Sequence, residues 1–159
     1  MFLNAKYLEI ISKFPDNMNR LKENSPVLFF NLENIPKRGI YVFYEKGRPI
    51  YVGRSRNLKQ RFRQHKQQSS DHHSATFAFM IALQDAEKAG IEMKKDGKKM
   101  TRDVLQKDPA FRKIFSDAKR RVAGMQVQVI SIDDPIEQTL FEVYAALELN
   151  TEYNHWDTH

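Results

Sequence analysis

The chain has 159 residues, of which 26 are Lys or Arg and 20 are Asp or Glu, so its formal net charge is +6 and its pI is about 9.5. This length suits a single domain, residues 1–159, and the basic balance favours an anionic partner such as nucleic acid or an acidic membrane surface. The lack of cysteine excludes disulfides, cysteine zinc sites and thiol chemistry, and it fits a reducing, cytoplasmic setting. We find no secretory signal and no apolar run long enough to cross a membrane, so we expect a soluble protein.

Residues 1–36 are predicted to form a helical extension. Apolar residues recur at helical spacing up to Phe14, and the sequence Pro15-Asp16-Asn17 is expected to interrupt the helix. After a polar loop, Val27 to Asn31 is predicted to form a short extended segment.

A β-hairpin is predicted in the stretch RGIYVFYEKGRPIYVG. Gly39 to Tyr44 and Ile50 to Val52 are rich in β-branched and aromatic residues, which favour strands. Gly47 suits the left-handed position at the end of a three-residue loop.

The register of this hairpin decides where two phenols lie. If Tyr44 pairs with Arg48, then Tyr41 lies directly opposite Tyr51, and the two side chains stand next to each other on one face. A register shifted by one residue would separate them.

A basic helix is predicted from Leu58 to Lys66, with Asn57 as its N-cap. Between Arg54 and Lys66 there are six Lys or Arg residues and no acid, which is unusual for a helix face that is only solvated. One face of the helix carries Leu58, Arg61, Phe62 and His65.

A helical and basic insertion is predicted at about residues 70–122. It holds a helix from about Ser74 to Lys88, a basic turn or hairpin in KKDGKK, and helical residues from Thr101 to Arg121 that break near Pro109. The sequence Asp71-His72-His73 is a candidate for a second metal site, but such a cluster before a helix more often forms a cap and a polar loop, and we interpret it as that.

The last part of the chain is predicted to be a strand followed by a helix. Met125 to Ile132 alternates apolar and polar residues, and Asp133-Asp134-Pro135 opens a helix that reaches about Leu149. The expected core side of this helix is Ile136, Leu140, Tyr144 and Leu147, which leaves Glu142 outside the buried stripe. The elements together predict an α+β (α/β layered) fold with a small, mainly antiparallel, three-stranded central sheet flanked by helices.

Several short motifs occur in a fixed order. Gly39-Ile40-Tyr41 is followed after nine residues by Tyr51-Val52-Gly53, then by Arg61 and His65, and FEVYAALELNTEYN supplies Glu142 and, twelve residues further on, Asn154. This arrangement resembles the GIY-YIG nuclease family over a core of residues 37–154. His65 makes it most similar to the restriction-enzyme and homing-endonuclease branches.

The resemblance implies a GIY-YIG type endonuclease, a phosphodiester hydrolase that acts on DNA with one Mg²⁺ or Mn²⁺. The metal ligand would be Glu142, in preference to Glu137, Glu148 or Glu152. A hard cation keeps most of its waters and needs only one or two carboxylates, which agrees with a single glutamate.

The same resemblance implies roles for the remaining motif residues. Tyr41 is the expected general base for the attacking water. Because a phenol titrates near 10, it needs help from Tyr51 and from His65 or Arg54. Arg61 would stabilise the phosphate, and Asn154 would tie the end of the chain to the site.

DNA contacts are expected from a glycine that allows close approach and from the basic residues around the helix, namely Gly53, Arg54, Arg56, Lys59, Arg63 and Lys66. We expect no membrane partner and no small-molecule cofactor, and cutting of both strands would require a homodimer, sequential nicking or re-binding. Two alternatives stay open: a non-cleaving nucleic-acid-binding module of the same fold, and a nuclease that acts on RNA or branched DNA.

Overall fold

The computed structural model describes residues 4–156, so both ends of the predicted 1–159 domain, and the start of the 1–36 extension, lie outside the described residues. The chain divides into two compact units: residues up to Lys59 together with those from Met125 onward, and Gln60–Gly124. The predicted domain boundaries stay a prediction. In chain order the elements are α1 (Ala5–Ser12), α2 (Phe14–Glu23), β1 (Val27–Leu28), a 3₁₀ turn (Phe29–Asn31), β2 (Gly39–Glu45), β3 (Arg48–Ser55), α3 (Leu58–Lys66), α4 (Thr76–Lys88), β4 (Lys94–Lys95), β5 (Lys98–Lys99), α5 (Arg102–Lys107), α6 (Pro109–Ala123), β6 (Gln126–Ser131) and α7 (Pro135–Glu148).

The first unit contains a four-stranded antiparallel sheet in the order β1-β6-β2-β3. The predicted α+β class is confirmed, with one strand more than expected. The extra strand, β1, is the start of the segment predicted to be extended, and it pairs Val27 with Val127 before the chain turns into the 3₁₀ turn. Among the residues that the structure describes, β3 has a sheet partner on one side only, so it is an edge strand.

The predicted hairpin register is wrong. The turn has two residues, Lys46 and Gly47, and both have left-handed backbones with φ of 51° and 75°. A bulge then shifts the pairing by one more residue: Tyr44 pairs with Pro49 but Phe43 pairs with Tyr51, so Ile50 is the extra residue and it lies on β3.

As a result, Tyr41 pairs with Gly53, while Tyr51 pairs with Phe43. Positions 51 and 53 are two residues apart on β3, so they lie on the same face of the sheet. Tyr41 pairs with Gly53 and therefore lies on that face as well. The two tyrosines are therefore diagonal neighbours on one face and not direct partners.

The opposite face of the sheet carries the core of this unit. Apolar side chains of α1, α2 and α7 pack there on the sheet; the cluster includes Ile10, Phe14, Met18, Leu21, Ile40, Val42, Val52, Ile130 and Phe141. The break between α1 and α2 falls at Lys13, slightly before the predicted interruption, because Pro15 is tolerated in the first turn of α2 and does not end a helix there.

The buried face of α7 differs from the predicted one. Ile136 and Leu147 are exposed, at 46% and 70%, while Glu137 and Gln138 are buried beside Phe141. These polar residues are tolerated because each has a buried hydrogen-bond partner. Asn17 Nδ2 donates to Glu137 Oε1 at 2.8 Å, and Gln138 Nε2 donates to the carbonyl oxygen of Ile132 at 2.6 Å.

The second unit is mainly helical. Rings of Phe79, Phe111 and Phe115 pack between α4 and α6, with the centroid of Phe79 5.2 Å and 5.3 Å from the other two. The predicted hairpin in KKDGKK forms as β4 and β5. The predicted break near Pro109 occurs at Asp108, whose carboxylate caps α6 by accepting from the backbone N–H of Phe111 at 2.9 Å. Within residues 4–156 no helix has the length and apolar character needed to span a bilayer.

Candidate active site

Tyr41 and Gly53 are in direct contact across the β2–β3 pair. Tyr41 is fully buried, and a Cβ placed on Gly53 would overlap the Cζ and hydroxyl atoms of its ring. Only a residue without a side chain can therefore lie opposite this phenol. The glycine of the Tyr51-Val52-Gly53 motif makes room for the tyrosine of Gly39-Ile40-Tyr41.

The second phenol, Tyr51, lies on the same face and is less buried than Tyr41. The centroids of the two rings are 6.3 Å apart and the rings are tilted by 52°. Phe43 packs edge-on against Tyr41 with centroids 5.6 Å apart. Tyr41 is thus enclosed in an aromatic cluster, and Tyr51 is the phenol of the pair that reaches towards solvent.

Glu142 forms an ion pair with Arg54. Arg54 Nε donates to Glu142 Oε2 at 2.8 Å, and the two side chains are 39% and 16% exposed. Glu142 follows the buried Phe141 on α7, so this helix places its carboxylate beside β3. Sequence reasoning selected both residues but did not predict their direct contact, because nothing local links positions 54 and 142.

Asn154 binds the backbone of β3 like a peptide group of a neighbouring strand. Its Oδ1 accepts from the N–H of Val52, and its Nδ2 donates to the carbonyl of Val52, both at 2.8 Å. Thr151 Oγ1 donates to the same Oδ1 at 2.8 Å, and the N–H of Tyr153 donates to the carbonyl of Ile50 at 3.0 Å. The segment after α7 is therefore fixed to the edge of the sheet.

Positions 51 to 54 of β3 thus carry or contact six of the predicted site residues. Tyr51 and Gly53 alternate with Val52 and Arg54, so the phenols lie on one face, and the Arg54–Glu142 pair lies on the α7 side. The Asn154 side chain binds the backbone of Val52 at the edge of the sheet. The phenols and the Arg54–Glu142 pair therefore lie on opposite faces of β3, and Asn154 fixes the backbone of the strand that carries both.

Arg61 and His65 lie in the second unit, and we describe them there. Arg61 Nη1 donates to the carbonyl of Ser74 at 3.0 Å, and its Nη2 donates to Thr76 Oγ1 at 2.7 Å, so the guanidinium is held at the start of α4. His65 is completely buried, and burial together with the Arg61 charge lowers its pKa to about 3. The imidazole is neutral at pH 7, which removes the electrostatic help to a phenolate that the sequence suggested for it.

The residues predicted to contact DNA are mostly at the surface. Arg54, Arg56, Lys59 and Arg63 are exposed, Lys66 is half-buried, and Gly53 is buried under Tyr41. Gly53 therefore has a packing role, and the close approach it permits is that of a phenol.

The glutamates that were set aside have different surroundings. Glu137 is buried and accepts a hydrogen bond from Asn17. Its Oε2 is 3.5 Å from Lys13 Nζ, and the charge of Glu137 raises the pKa of Lys13. Glu148 is exposed at the end of α7.

The model of the GIY-YIG catalytic domain matches residues 37–120, more than half of the chain. The chain therefore belongs to the GIY-YIG family, whose members are generally endonucleases and usually use a divalent metal. The matched range includes Tyr41, Tyr51, Arg61 and His65. It ends before α7 and so does not include Glu142 or Asn154. The comparison with curated proteins found no match, and the comparison with solved structures found none.

Proposed function

We propose that this chain is a divalent-metal-dependent endonuclease that hydrolyses phosphodiester bonds in DNA. The observation that supports the proposal is the meeting of separate motif residues at β3, where Tyr41 covers Gly53, Glu142 binds Arg54 and Asn154 binds Val52. The residues come from two distant parts of the chain, the β2–β3 hairpin and the region from α7 onward, and apolar packing does not explain why a carboxylate and a guanidinium meet there.

The carboxylate of Glu142 fits a hard cation. It is partly accessible, and Mg²⁺ or Mn²⁺ binds through one or two carboxylates while keeping several waters. When bound, such a cation would supply Lewis-acid stabilisation of charge on the phosphate. Arg54 keeps the carboxylate in place and adds positive charge beside it.

Burial changes the proposed roles of the two phenols. Tyr41 is fully enclosed, so we assign contact with the attacking water to Tyr51, which is half-buried. Tyr41 then acts as a positioning residue, because its ring packs beside that of Tyr51 and fixes the hairpin face. Asn154 binds the backbone of Val52, the residue between Tyr51 and Gly53. It thereby fixes the backbone on either side of Val52 and the direction of the Tyr51 side chain.

Arg61 is proposed as the residue that stabilises the phosphate. Its planar guanidinium stays charged at every working pH and can bind two phosphate oxygens. The exposed basic residues Arg56, Lys59 and Arg63 supply contacts to the sugar–phosphate backbone that do not depend on sequence, so binding weakens as salt rises.

The decisive experiment is cleavage of supercoiled plasmid by the purified chain with Mg²⁺ or Mn²⁺. Glu142→Gln keeps the size of the side chain and removes its charge, so nicking should fall by at least about a hundredfold. Glu148→Gln is the matched control, because the same substitution on the same helix lies at an exposed position, and its activity should equal that of the wild type. Equal nicking by wild type and Glu142→Gln would mean a contaminating nuclease and would refute the proposal.

The substrate is tested with a panel of supercoiled, linear and branched DNA and single-stranded RNA. Preference for RNA or branched DNA would keep the chemistry and change the substrate class. Salt-sensitive DNA binding without cleavage under any divalent metal would favour the non-cleaving module. A homodimer and a cytoplasmic location stay predictions.

A further inference from the structure

Two histidines and an aspartate of the second unit lie close together. His72 and His73 belong to the loop between α3 and α4, and Asp103 lies in the first turn of α5. One candidate ligand atom from each side chain lies within 4.8 Å of the other two. The cluster therefore joins two segments that are about thirty residues apart in sequence.

The hydrogen bonds around His72 fix its tautomer. Gln106 Oε1 accepts from the backbone N–H of His72 at 3.0 Å and lies 2.8 Å from His72 Nδ1. A backbone N–H can only donate, so the Gln106 atom is an acceptor, and Nδ1 must carry the proton. In the neutral imidazole the lone pair is then on Nε2, the arrangement found in metal-ligating histidines that donate their other N–H to an oxygen.

That lone pair points towards another acceptor. His72 Nε2 is 3.5 Å from Asp103 Oδ1, although the histidine is only 3% exposed and the carboxylate is 72% exposed. A cation that binds both atoms would bridge this separation. Nitrogen and oxygen ligands at about 2.0–2.2 Å from a tetrahedral ion are roughly 3.4 Å apart, close to the observed separation.

The loop that carries the two histidines is preorganised. Asp71 Oδ1 accepts from the backbone N–H groups of His73 at 3.1 Å and Ser74 at 2.9 Å. This is the cap and polar loop expected from the sequence. The cap does not compete with the metal site, because it uses the Asp71 carboxylate and neither imidazole; the two imidazole centroids are 4.0 Å apart.

We propose that His72, His73 and Asp103 form a binding site for a divalent transition metal of the Zn²⁺ type, with solvent completing the coordination. Imidazole nitrogen together with one carboxylate suits Zn²⁺, whereas Mg²⁺ prefers oxygen ligands only. The site is thus chemically distinct from the one proposed at Glu142. Because its ligands come from the loop before α4 and from α5, the metal would link these two segments and stabilise the second unit.

The test is a titration of the full chain, first stripped with a chelator, with Zn²⁺ followed by calorimetry and by the thermal unfolding midpoint. We expect one Zn²⁺ per chain at this site, a higher midpoint on binding, and no competition from a large excess of Mg²⁺. His73→Ala and Asp103→Asn each change an exposed ligand and retain the buried His72, and each should weaken binding by at least about tenfold.

Two control variants make the outcome specific. His155→Ala removes an exposed histidine elsewhere, and Glu142→Gln removes the proposed magnesium ligand; neither should change the affinity for Zn²⁺. Zn²⁺ binding that is unaffected by both His73→Ala and Asp103→Asn would overturn the proposal. Absence of Zn²⁺ binding to the stripped wild-type chain would also overturn it.

Discussion

The ring of Tyr41 lies against the Cα of Gly53, on the neighbouring strand, so closely that no side chain fits between them. The two residues belong to the two motifs that define the family resemblance. Their contact explains in physical terms why a glycine follows the second tyrosine by two positions.

Gly53→Ala should therefore destabilise the protein. The added methyl group overlaps a ring that is fully buried and cannot move away freely, and overpacking of this kind costs about 1–3 kcal/mol. Urea unfolding measures the loss. Gly124→Ala is the matched control, because a Cβ there meets the nearest atom at 3.6 Å, an ordinary contact, and the change should stay within about 0.5 kcal/mol. If the clash is the cause, the loss caused by Gly53→Ala should be smaller in a Tyr41→Ala background.

Asn154→Ala should loosen the edge of β3. The change removes both hydrogen bonds to Val52 and leaves its N–H and carbonyl without their partner, at a cost of about 1–3 kcal/mol. Amide hydrogen exchange at Val52 should accelerate in the variant. His155→Ala, one residue further on and exposed, should leave this exchange rate unchanged, and equal acceleration in both variants would contradict the assigned role.

Arg54→Ala should change metal binding and turnover in opposite directions: Mg²⁺ should bind more tightly, while kcat should fall. Arg54 places a positive charge 2.8 Å from Glu142, which competes with a cation for the same carboxylate. The variant should reach half-maximal activity at a several-fold lower Mg²⁺ concentration, while its kcat falls because Glu142 is no longer held. Arg56→Ala, an exposed arginine two positions away, serves as the control. A higher Mg²⁺ requirement in Arg54→Ala would contradict this interpretation of the pair.

His65 makes the stability depend on pH. Its pKa is lowered to about 3 in the folded protein, so below pH 6.5 the unfolded chain binds a proton that the folded chain does not. The contribution is fully present above pH 6.5 and is lost as the pH falls towards 3. Between pH 7 and pH 5 the free energy of unfolding should drop by about 2 kcal/mol from this residue alone.

The measurement compares urea unfolding of wild type and His65→Gln at both pH values. The variant does not titrate, so its drop should be smaller by that amount, even if it is less stable at pH 7. His155→Gln changes an exposed histidine and should retain the full drop. An identical drop in wild type and His65→Gln would show that His65 is not buried in the neutral form.

The local signals predicted much of the fold. Asp134 and Pro135 start α7 as expected, with the Asp134 carboxylate accepting from the N–H groups of Ile136 and Glu137 at 2.8 Å, and these bonds lower the pKa of Asp134. Capping residues and helical spacing depend on neighbours in sequence, which a single chain displays directly.

The errors came from tertiary effects. The hairpin register depended on Lys46 adopting a left-handed backbone beside Gly47, a conformation that is uncommon for lysine and that only the paired strands select. The buried face of α7 depended on Asn17, which is far away in sequence and supplies the hydrogen bond that makes a buried Glu137 tolerable.

In the candidate site, too, the sequence predicted what depends on local motifs and missed what depends on tertiary contacts. The spacing of the motifs selected Tyr41, Tyr51, Glu142 and Asn154, but it could not predict that Arg54 binds Glu142 or that His65 is neutral. Both depend on the folded surroundings of a charge, and the same holds for Asp103, which completes the His72 and His73 cluster only after folding.

The carboxamide of Asn154 has a consequence beyond catalysis. The carboxamide binds both the N–H and the carbonyl of Val52 on the edge strand β3. These two backbone groups are therefore not available to pair with a strand of another molecule. One side chain thus covers one position of an edge strand that another molecule could otherwise extend, and the residue that we propose to fix the site also hinders self-association at that position.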